Sequence, residues 1–387
     1  MPNAGSYVPA ALRFSSAMSR GRRYPELPHP YRSEFQRDRD RVVHARAFRR
    51  LENKTQVFTA AASDHFRNRL THTIEVAQIS RTVASTLSLN EDLTETLALV
   101  HDIGHPPFAH SGEDELHRQM ARFGGKFDHN LHALRIVESF EARYARFPGL
   151  NLTFEVREGI VKHSRDLTPG ESPELEEYLP ALRPPLEAQI IDLADEIAYN
   201  TADLDDAYSA GFFSIEDIRE AVPVFSSLWE SIEMQFPGAE ERVQFLEVLR
   251  QLINQLVSGL LQGTADAIVS SGVQQVEDVR NHPTRLVHLT AESAETNRQL
   301  KKFLHQRVYN SSELLGERLR SVRIISELFE CYLNDPDRLP QPYREQATER
   351  PAHQVICEYI AGMTDGYCTR VYTELLGRHL PNTTIEG

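Results

Sequence analysis

Between Leu99 and Leu116 the chain reads LVHDIGHPPFAHSGEDEL, with three histidines, four carboxylates and two adjacent prolines. His101 and Asp102 stand side by side, and an imidazole nitrogen with a carboxylate oxygen is a ligand pair for a divalent ion. Taken alone, such a dipeptide is more simply a charge interaction at a helix end or a hydrogen-bonded core histidine. Two distant residues change the weighing. His72 lies between Thr71 and Thr73 at the start of a helical pattern. Asp195 lies in IIDLADEIAYN, so apolar a stretch that an ionised carboxylate there needs a cation, a metal or a hydrogen-bond network. Two imidazoles and two carboxylates form a mixed N/O set that suits Mn, Fe, Co, Ni or Zn, and less readily Mg alone. An ion held by four protein ligands keeps positions for water and for a substrate oxygen.

The elements that carry these residues read as helices. Val42, Val43, Ala47, Phe48 and Leu51 fit one amphipathic face, as do Ile74, Ala77, Val83 and Leu87. LTETLALVHDIGH reads as a helix with Gly104 as its C-terminal stop and Pro106 following. Pro106 and Pro107 lock two φ angles of the turn. Ser111 reads as the N-cap of the next helix, with Glu113 and Asp114 in its first turn. NLHALRIVESFEARYARF is another helix, and PPLEAQIIDLADEIAYNTADLDDAYSA is long, apolar on most sides and therefore buried. Further helices are expected near 215–235, 238–262, 292–309, 311–333 and 353–377. KTQVFTAAASDHFRNR is β-branched and interrupted, which suits a brief strand or hairpin. The expected fold class is all-α with at most a short β-hairpin. We divide it into a flexible basic arm (1–30), a core (31–210) and a helical C-terminal region (211–387).

Of the 387 residues, 40% are hydrophobic and 25% charged, as in an ordinary soluble globular protein. No apolar run is long enough to span a bilayer, and the N-terminus has no apolar leader. Cys331, Cys357 and Cys368 form no CxxC pair and read as reduced thiols in a cytoplasmic protein. The net charge of −14 is uneven: eleven arginines and four carboxylates give the first 50 residues +7, leaving −21 for the rest. So acidic a body repels phosphate backbones. The basic segment either pairs with that body or meets phosphate locally, which keeps DNA binding or allosteric nucleotide binding open.

The order His72, His101–Asp102, Asp195 resembles that of the HD-domain metal-dependent phosphohydrolases. The resemblance narrows through six blocks: RDRDRVVHARAFRRLENKTQVF (37–58), FRNRLTHTIEVAQI (66–79), HDIGHPPFAHSGE (101–113), FDHN (127–130), LADEIAYNTADLDDA (193–207) and EYIAGMTDGY (358–367). In this order they are similar to the deoxyguanosine triphosphohydrolase (dGTPase-like) family, over about residues 30–378. The resemblance implies His72, His101, Asp102 and Asp195 as metal ligands. It implies hydrolysis of a deoxynucleoside triphosphate (dNTP) at the α-phosphorus, to deoxynucleoside and intact tripolyphosphate. An alkoxide leaves poorly, so a general acid is needed. His110 is the candidate, with Glu113 to orient it and His129 brought to the same cluster. His105 is either a substrate contact or a packing residue of the turn.

For the nucleotide, the resemblance implies Arg69 and Lys301 as phosphate cations, with His305 and Tyr309 on the same helical face. Asp195, Tyr199 and Asp203 share a four-residue spacing. One face would thus present a metal ligand, a ring under the sugar and an acceptor for the 3′-hydroxyl, with Gln56 also reaching that hydroxyl. A ring packed under C2′ leaves no room for a 2′-hydroxyl. Without the resemblance, Tyr199 is a core aromatic, Gln56 a polar strand residue, and Lys301 part of a solvated basic stripe. Relatives assemble as tetramers or hexamers, and some need a second dNTP as activator. The competing readings are another HD phosphohydrolase, a nucleotidase or phosphodiesterase, and a nucleotide-sensing or DNA-binding regulator. A regulator has no need of an acid such as His110.

Overall fold

The computed structural model describes residues 8–57 and 66–377. Among them the chain is helical, with no named strand, and the fold class is all-α. The expected hairpin falls partly on 58–65, outside the described residues; beside it, Thr55 and Asn68 form one isolated antiparallel bridge. The chain divides into two units: Met1–Arg39, His72–Leu99 and Thr153–Ser311 form the first, and Asp40–Thr71, Val100–Leu152 and Ser312–Gly387 the second.

The first unit is built around the helix Leu186–Ser209, which packs against the helices Glu241–Ser271 and Ala291–Leu304. Its buried side includes Ile190, Ile191, Ala194, Ile197, Ala198 and Leu204. That accounts for the sequence pattern, apolar on more than one face. Polar side chains are buried with them and are answered by partners. Glu187 accepts from the backbone N–H of Phe14 at 2.8 Å and of Asn90 at 3.0 Å. Those bonds offset the burial that pushes its carboxyl up. Phe14 and Leu12 are themselves buried. Asp38, fully buried, accepts from Arg22 and from the N–H and hydroxyl of Thr153 at 2.9 and 2.6 Å. The arginines of the N-terminal segment thus pair with acidic residues: Arg22 with Glu34 and Asp38, Arg23 with Glu177.

In the second unit the helix Ser312–Asn334 packs on Ala109–Ala121, Ala352–Ala361 and Asp365–Leu376. Leu116, Met120, Phe127, Ile325, Phe329, Ile356 and Tyr372 belong to its shared core.

Several helix boundaries differ from the sequence pattern for local reasons. The stretch 215–235 breaks before Pro223, whose ring bars its predecessor from the helical region. The 292–309 pattern ends as an α-helix at Leu304 and closes with one π turn, His305–Tyr309. The 353–377 stretch is two helices, the second capped by Thr364, whose side chain accepts from the N–H of Tyr367. Ser111 is not an N-cap. The helix begins at Ala109, and its capping position is Phe108, at φ 63°.

Gly104 is not a helix stop either, since the preceding helix, Glu91–Val100, has already ended. Its role is close approach. A β-carbon there would sit 2.0 Å from the carbonyl oxygen of His129 and 2.6 Å from the nitrogen of Ala133. Gly104→Ala should lower stability by about 1–3 kcal/mol through overpacking, read as a shifted urea midpoint with unchanged slope. An unchanged midpoint would show that the contact is not tight.

Candidate active site

His101 and Asp102 follow directly on the helix Glu91–Val100 and are buried with His105. Asp102 is 4% exposed. Burial alone would push its carboxyl up. Arg69, His105 and His101 reverse this and hold it well below the usual carboxylate range. Arg69 Nη1 donates to Asp102 Oδ2 at 2.8 Å. His105 Nδ1 lies 2.9 Å from Oδ1, and His101 Nε2 lies 3.6 Å from it. Arg69, expected at a phosphate, is therefore a partner of the candidate ligand Asp102. His105, expected in the turn or at substrate, touches the same carboxylate.

The His105 ring stacks on His129, with centroids 4.0 Å apart. His129 in turn donates from Nδ1 to Glu113 Oε1 at 2.7 Å, and its backbone N–H reaches the same oxygen at 3.2 Å. Burial would raise the Glu113 carboxyl, but the hydrogen bond and charge of His129 bring it down to about 2. Here the sequence expectation shifts. Glu113 orients His129 directly, while His110 Nδ1 stands 4.0 Å from Glu113 Oε2 with its side chain 85% exposed. One atom each from His105, Glu113 and His129 lie within 4.8 Å of one another, a set that can hold a cation.

The first unit contains the other candidates. His72 Nε2 is 2.8 Å from Asp195 Oδ1 across 123 positions of sequence. His72 is 1% exposed and Asp195 partly buried. His163, absent from the sequence reading, joins them: its Nδ1 lies 2.9 Å from Asp192 Oδ1 and its Nε2 3.8 Å from Asp195 Oδ2. Arg285 binds the far oxygen of Asp192. The signal for His163 was indirect. Asp192 and Asp195 lie one turn apart on a buried helix, and both need cationic or hydrogen-bonding partners.

Along the same helix, the Tyr199 ring carries Lys301 Nζ 5.7 Å from its centroid, and Lys301 also pairs with Glu196. Tyr309 donates its hydroxyl to buried Asp203, so the residue expected to take a 3′-hydroxyl accepts from a phenol here. His305 Nδ1 meets Asn310 Nδ2 at 3.1 Å rather than Tyr199 or Asp203. The π turn beginning at His305 interrupts the four-residue repeat that sequence spacing gave Lys301, His305 and Tyr309. In the second unit, Gln56 follows the Thr55 bridge, with its Oε1 buried.

As donors, His72 with Asp195 in the first unit and His101 with Asp102 in the second are imidazole–carboxylate pairs, and each pair has the donor types that a divalent transition metal takes. Residues 69–200 match the HD domain and residues 287–374 the phosphohydrolase-associated domain. Curated relatives described as deoxyguanosinetriphosphate triphosphohydrolase-like proteins align over nearly the whole chain. The Geobacter sulfurreducens protein is 43% identical over 362 residues, 93% of each chain. That of Azoarcus sp. is 45% identical over 368 residues, covering 95% of this chain and 96% of its own. That of Bordetella pertussis is 43% identical over 370 residues, covering 95% and 96%. Fold, His-Asp pairs and domain matches together define an HD-domain phosphohydrolase. Within that class, the chain belongs to the deoxyguanosinetriphosphate triphosphohydrolase-like family. Among the described residues, no helix is long and apolar enough to cross a membrane.

A buried histidine beside the cluster makes the region acid-sensitive. His132 donates from Nδ1 to the carbonyl of Gly104 at 2.9 Å. Burial, with nearby Lys54, Arg135 and Arg50, brings it down to about 3 from an ordinary 6.5, against the opposing pull of the Gly104 bond. Between those values the unfolded chain binds the proton and the native chain does not, so stability falls as pH falls through that window. His132→Asn should flatten the slope of unfolding free energy against pH by up to one proton between about 6.5 and 3. An unchanged slope would remove His132 from that role.

Proposed function

We propose that the chain is a metal-dependent dNTP triphosphohydrolase that converts dGTP, or several dNTPs, to deoxynucleoside and tripolyphosphate. The observation that carries this reading is the single helix Leu186–Ser209. On it Asp195 pairs with His72 at 2.8 Å, while Tyr199 and Asp203 follow at four-residue intervals, each with a partner from 301–309. A general HD phosphohydrolase needs the metal ligands alone; a ring and an acceptor beside them suit a deoxyribose. The near full-length similarity to dGTPase-like relatives favours the same substrate class. A nucleotidase or phosphodiesterase is distinguished by its products, since neither releases tripolyphosphate, and a nucleotide-sensing or DNA-binding regulator would leave the Glu113–His129 pair without a role.

In this reading His72, His101, Asp102 and Asp195 hold a divalent ion, Mn, Mg, Fe, Co, Ni or Zn. When bound, it supplies Lewis acidity at a phosphoryl oxygen and acidifies water. The remaining roles belong to side chains. Arg69 keeps Asp102 ionised and adds positive charge near the phosphates, and Lys301 adds a second cation. Tyr199 lies under the sugar, with Asp203 and Gln56 at the 3′-hydroxyl, and His305 and Tyr309 line the nucleotide. Water adds to the α-phosphorus and releases a proton to solvent, the bond to the 5′-oxygen breaks, and that oxygen takes a proton from protonated His110, which solvent restores. Glu113 holds the His129 proton at Nδ1, which fixes the face this imidazole offers the phosphates. Residues 31–210 form the catalytic core, and 211–387 complete the nucleotide site and oligomer contacts. The protein acts in the cytoplasm as a homo-oligomer, a tetramer or hexamer, and a second dNTP serves as activator.

Incubation with Mn²⁺ or Mg²⁺ and dNTPs, singly and in pairs, should release deoxynucleoside and tripolyphosphate. Monophosphate with pyrophosphate as the only products would contradict the mechanism. His110→Ala should retain the metal and lose roughly 10²–10⁴-fold in turnover, the usual contribution of a general acid. Full activity in that variant would pass the acid role to another group.

A further inference from the structure

The block EYIAGMTDGY has no part in the chemistry above, but one of its carboxylates grips the chain at two places that do. Asp365 lies in the first turn of the helix Asp365–Leu376. Its Oδ2 accepts from the backbone N–H of Thr55 at 2.8 Å, and its Oδ1 from that of Phe108 at 2.9 Å. Gln56 is the next residue after the first amide, and Ala109 and His110 follow the second. At Phe108 and Ala109 the backbone has φ of 63° and 53°, the left-handed region that a β-carbon disfavours. Such a conformation persists where surrounding contacts over-determine it.

Lys54 ties the same three segments through opposite groups. Its buried Nζ donates to the carbonyl of His105 and, at 3.3 Å, to that of Ala361. Arg50 adds a bond to the carbonyl of Gly362 at 2.9 Å. Gly112 closes the turn from the far side, since a β-carbon there would sit 1.9 Å from the Pro107 carbonyl oxygen. The turn 105–109 is therefore held by a carbonyl on an ammonium and by an amide on a carboxylate, with 54–55 and 361–365 as the anchors.

We infer that Asp365 is a positioning residue for His110 and Gln56. It fixes the two backbone amides that set where the imidazole and the side-chain amide project. A carboxylate suits the task because both partners are donors; an asparagine would turn an NH₂ group toward one of them. The geometric part stands on the hydrogen bonds alone, and the catalytic consequence rests on the dNTP reading.

The test uses the full chain as Asp365→Asn, with Asp365→Glu alongside, which keeps both acceptor oxygens on a longer arm. Hydrogen–deuterium exchange in the Asn variant should be roughly tenfold faster at whichever of Thr55 and Phe108 faces the new NH₂ group, the factor one ordinary hydrogen bond is worth. The Glu variant should fall between it and wild type, and the helix Leu186–Ser209 should be unchanged. Turnover is then compared on dGTP and on its analogue with sulfur in place of the bridging 5′-oxygen, whose thiolate leaves without protonation. The Asn variant should lose roughly 10²-fold in kcat on dGTP, as misplacement of a reacting group by about 1 Å can. It should stay near wild type on the sulfur analogue, the pattern also expected of His110→Ala. Wild-type exchange at Thr55 and Phe108 in both variants overturns the inference whatever the substrate. Equal losses of kcat on the two substrates overturn it as well, because a displaced Gln56, a binding contact common to both, would raise KM rather than lower kcat. If wild-type protein turns over no dNTP, the proposed function falls and the exchange rates alone decide the positioning.

Discussion

Much of this structure depends on keeping Asp102 ionised while it is buried. An isolated carboxylate out of water takes up a proton rather than hold its charge, and a neutral carboxyl is a poor ligand. Arg69 prevents this with a 2.8 Å hydrogen bond, and the imidazoles of His105 and His101 reinforce it. Removing one member of such a buried pair generally destabilises by about 3–5 kcal/mol, because the other charge is left without compensation. Arg69 is thus bound to the fold as firmly as to the chemistry. The consequence propagates outward. His105, once on Asp102, presents its ring to His129, and His129 is fixed from its other side by Glu113. A string of side chains from three segments becomes one rigid polar group, each member oriented by the next.

The first unit solves the same problem with a different partner set. The helix Leu186–Ser209 buries Glu187, Gln189, Asn200, Thr201 and Asp203 among its apolar residues. Each of these five is satisfied or oriented from another part of the chain or from the preceding turn. Asn200 donates to Asn297 Oδ1 at 2.6 Å, and Asn297 donates onward to Glu196 at 2.8 Å. Gln189 reaches the carbonyl of Pro184 at 2.8 Å, and Thr201 that of Ile197 at 2.8 Å. A helix so committed on its polar side has little freedom to rotate, and that is the property a site requires of the element carrying Asp195, Tyr199 and Asp203.

The sequence made part of this legible. The apolar periodicity of 186–209 announced a buried helix, and a carboxylate within it announced a partner, which is His72. The His-Asp dipeptide marked a titratable pair, and it is buried beside Arg69 and His105. What stayed hidden depended on contacts between distant segments. Nothing local tells that Glu113 meets His129 rather than His110, since the preference arises from how 127–130 returns to the cluster. His163 is unremarkable in its own stretch and acquires meaning only beside Asp192. The N-terminal segment has no periodicity, yet Phe14 and Arg22 are anchored by Glu187 and Asp38. The π turn at 305–309 and the left-handed pair Phe108–Ala109 have no signature in residue type, because neither glycine nor asparagine marks them.

The chemistry proposed above requires one ion on His72, His101, Asp102 and Asp195. Titration of the metal-free protein with Mn²⁺, followed by electron paramagnetic resonance of the free ion, tests it without reference to turnover. One tightly held ion per chain is expected, lost equally on His72→Asn and on His101→Asn while the helical circular dichroism is retained. Tight binding that survives either substitution would contradict it.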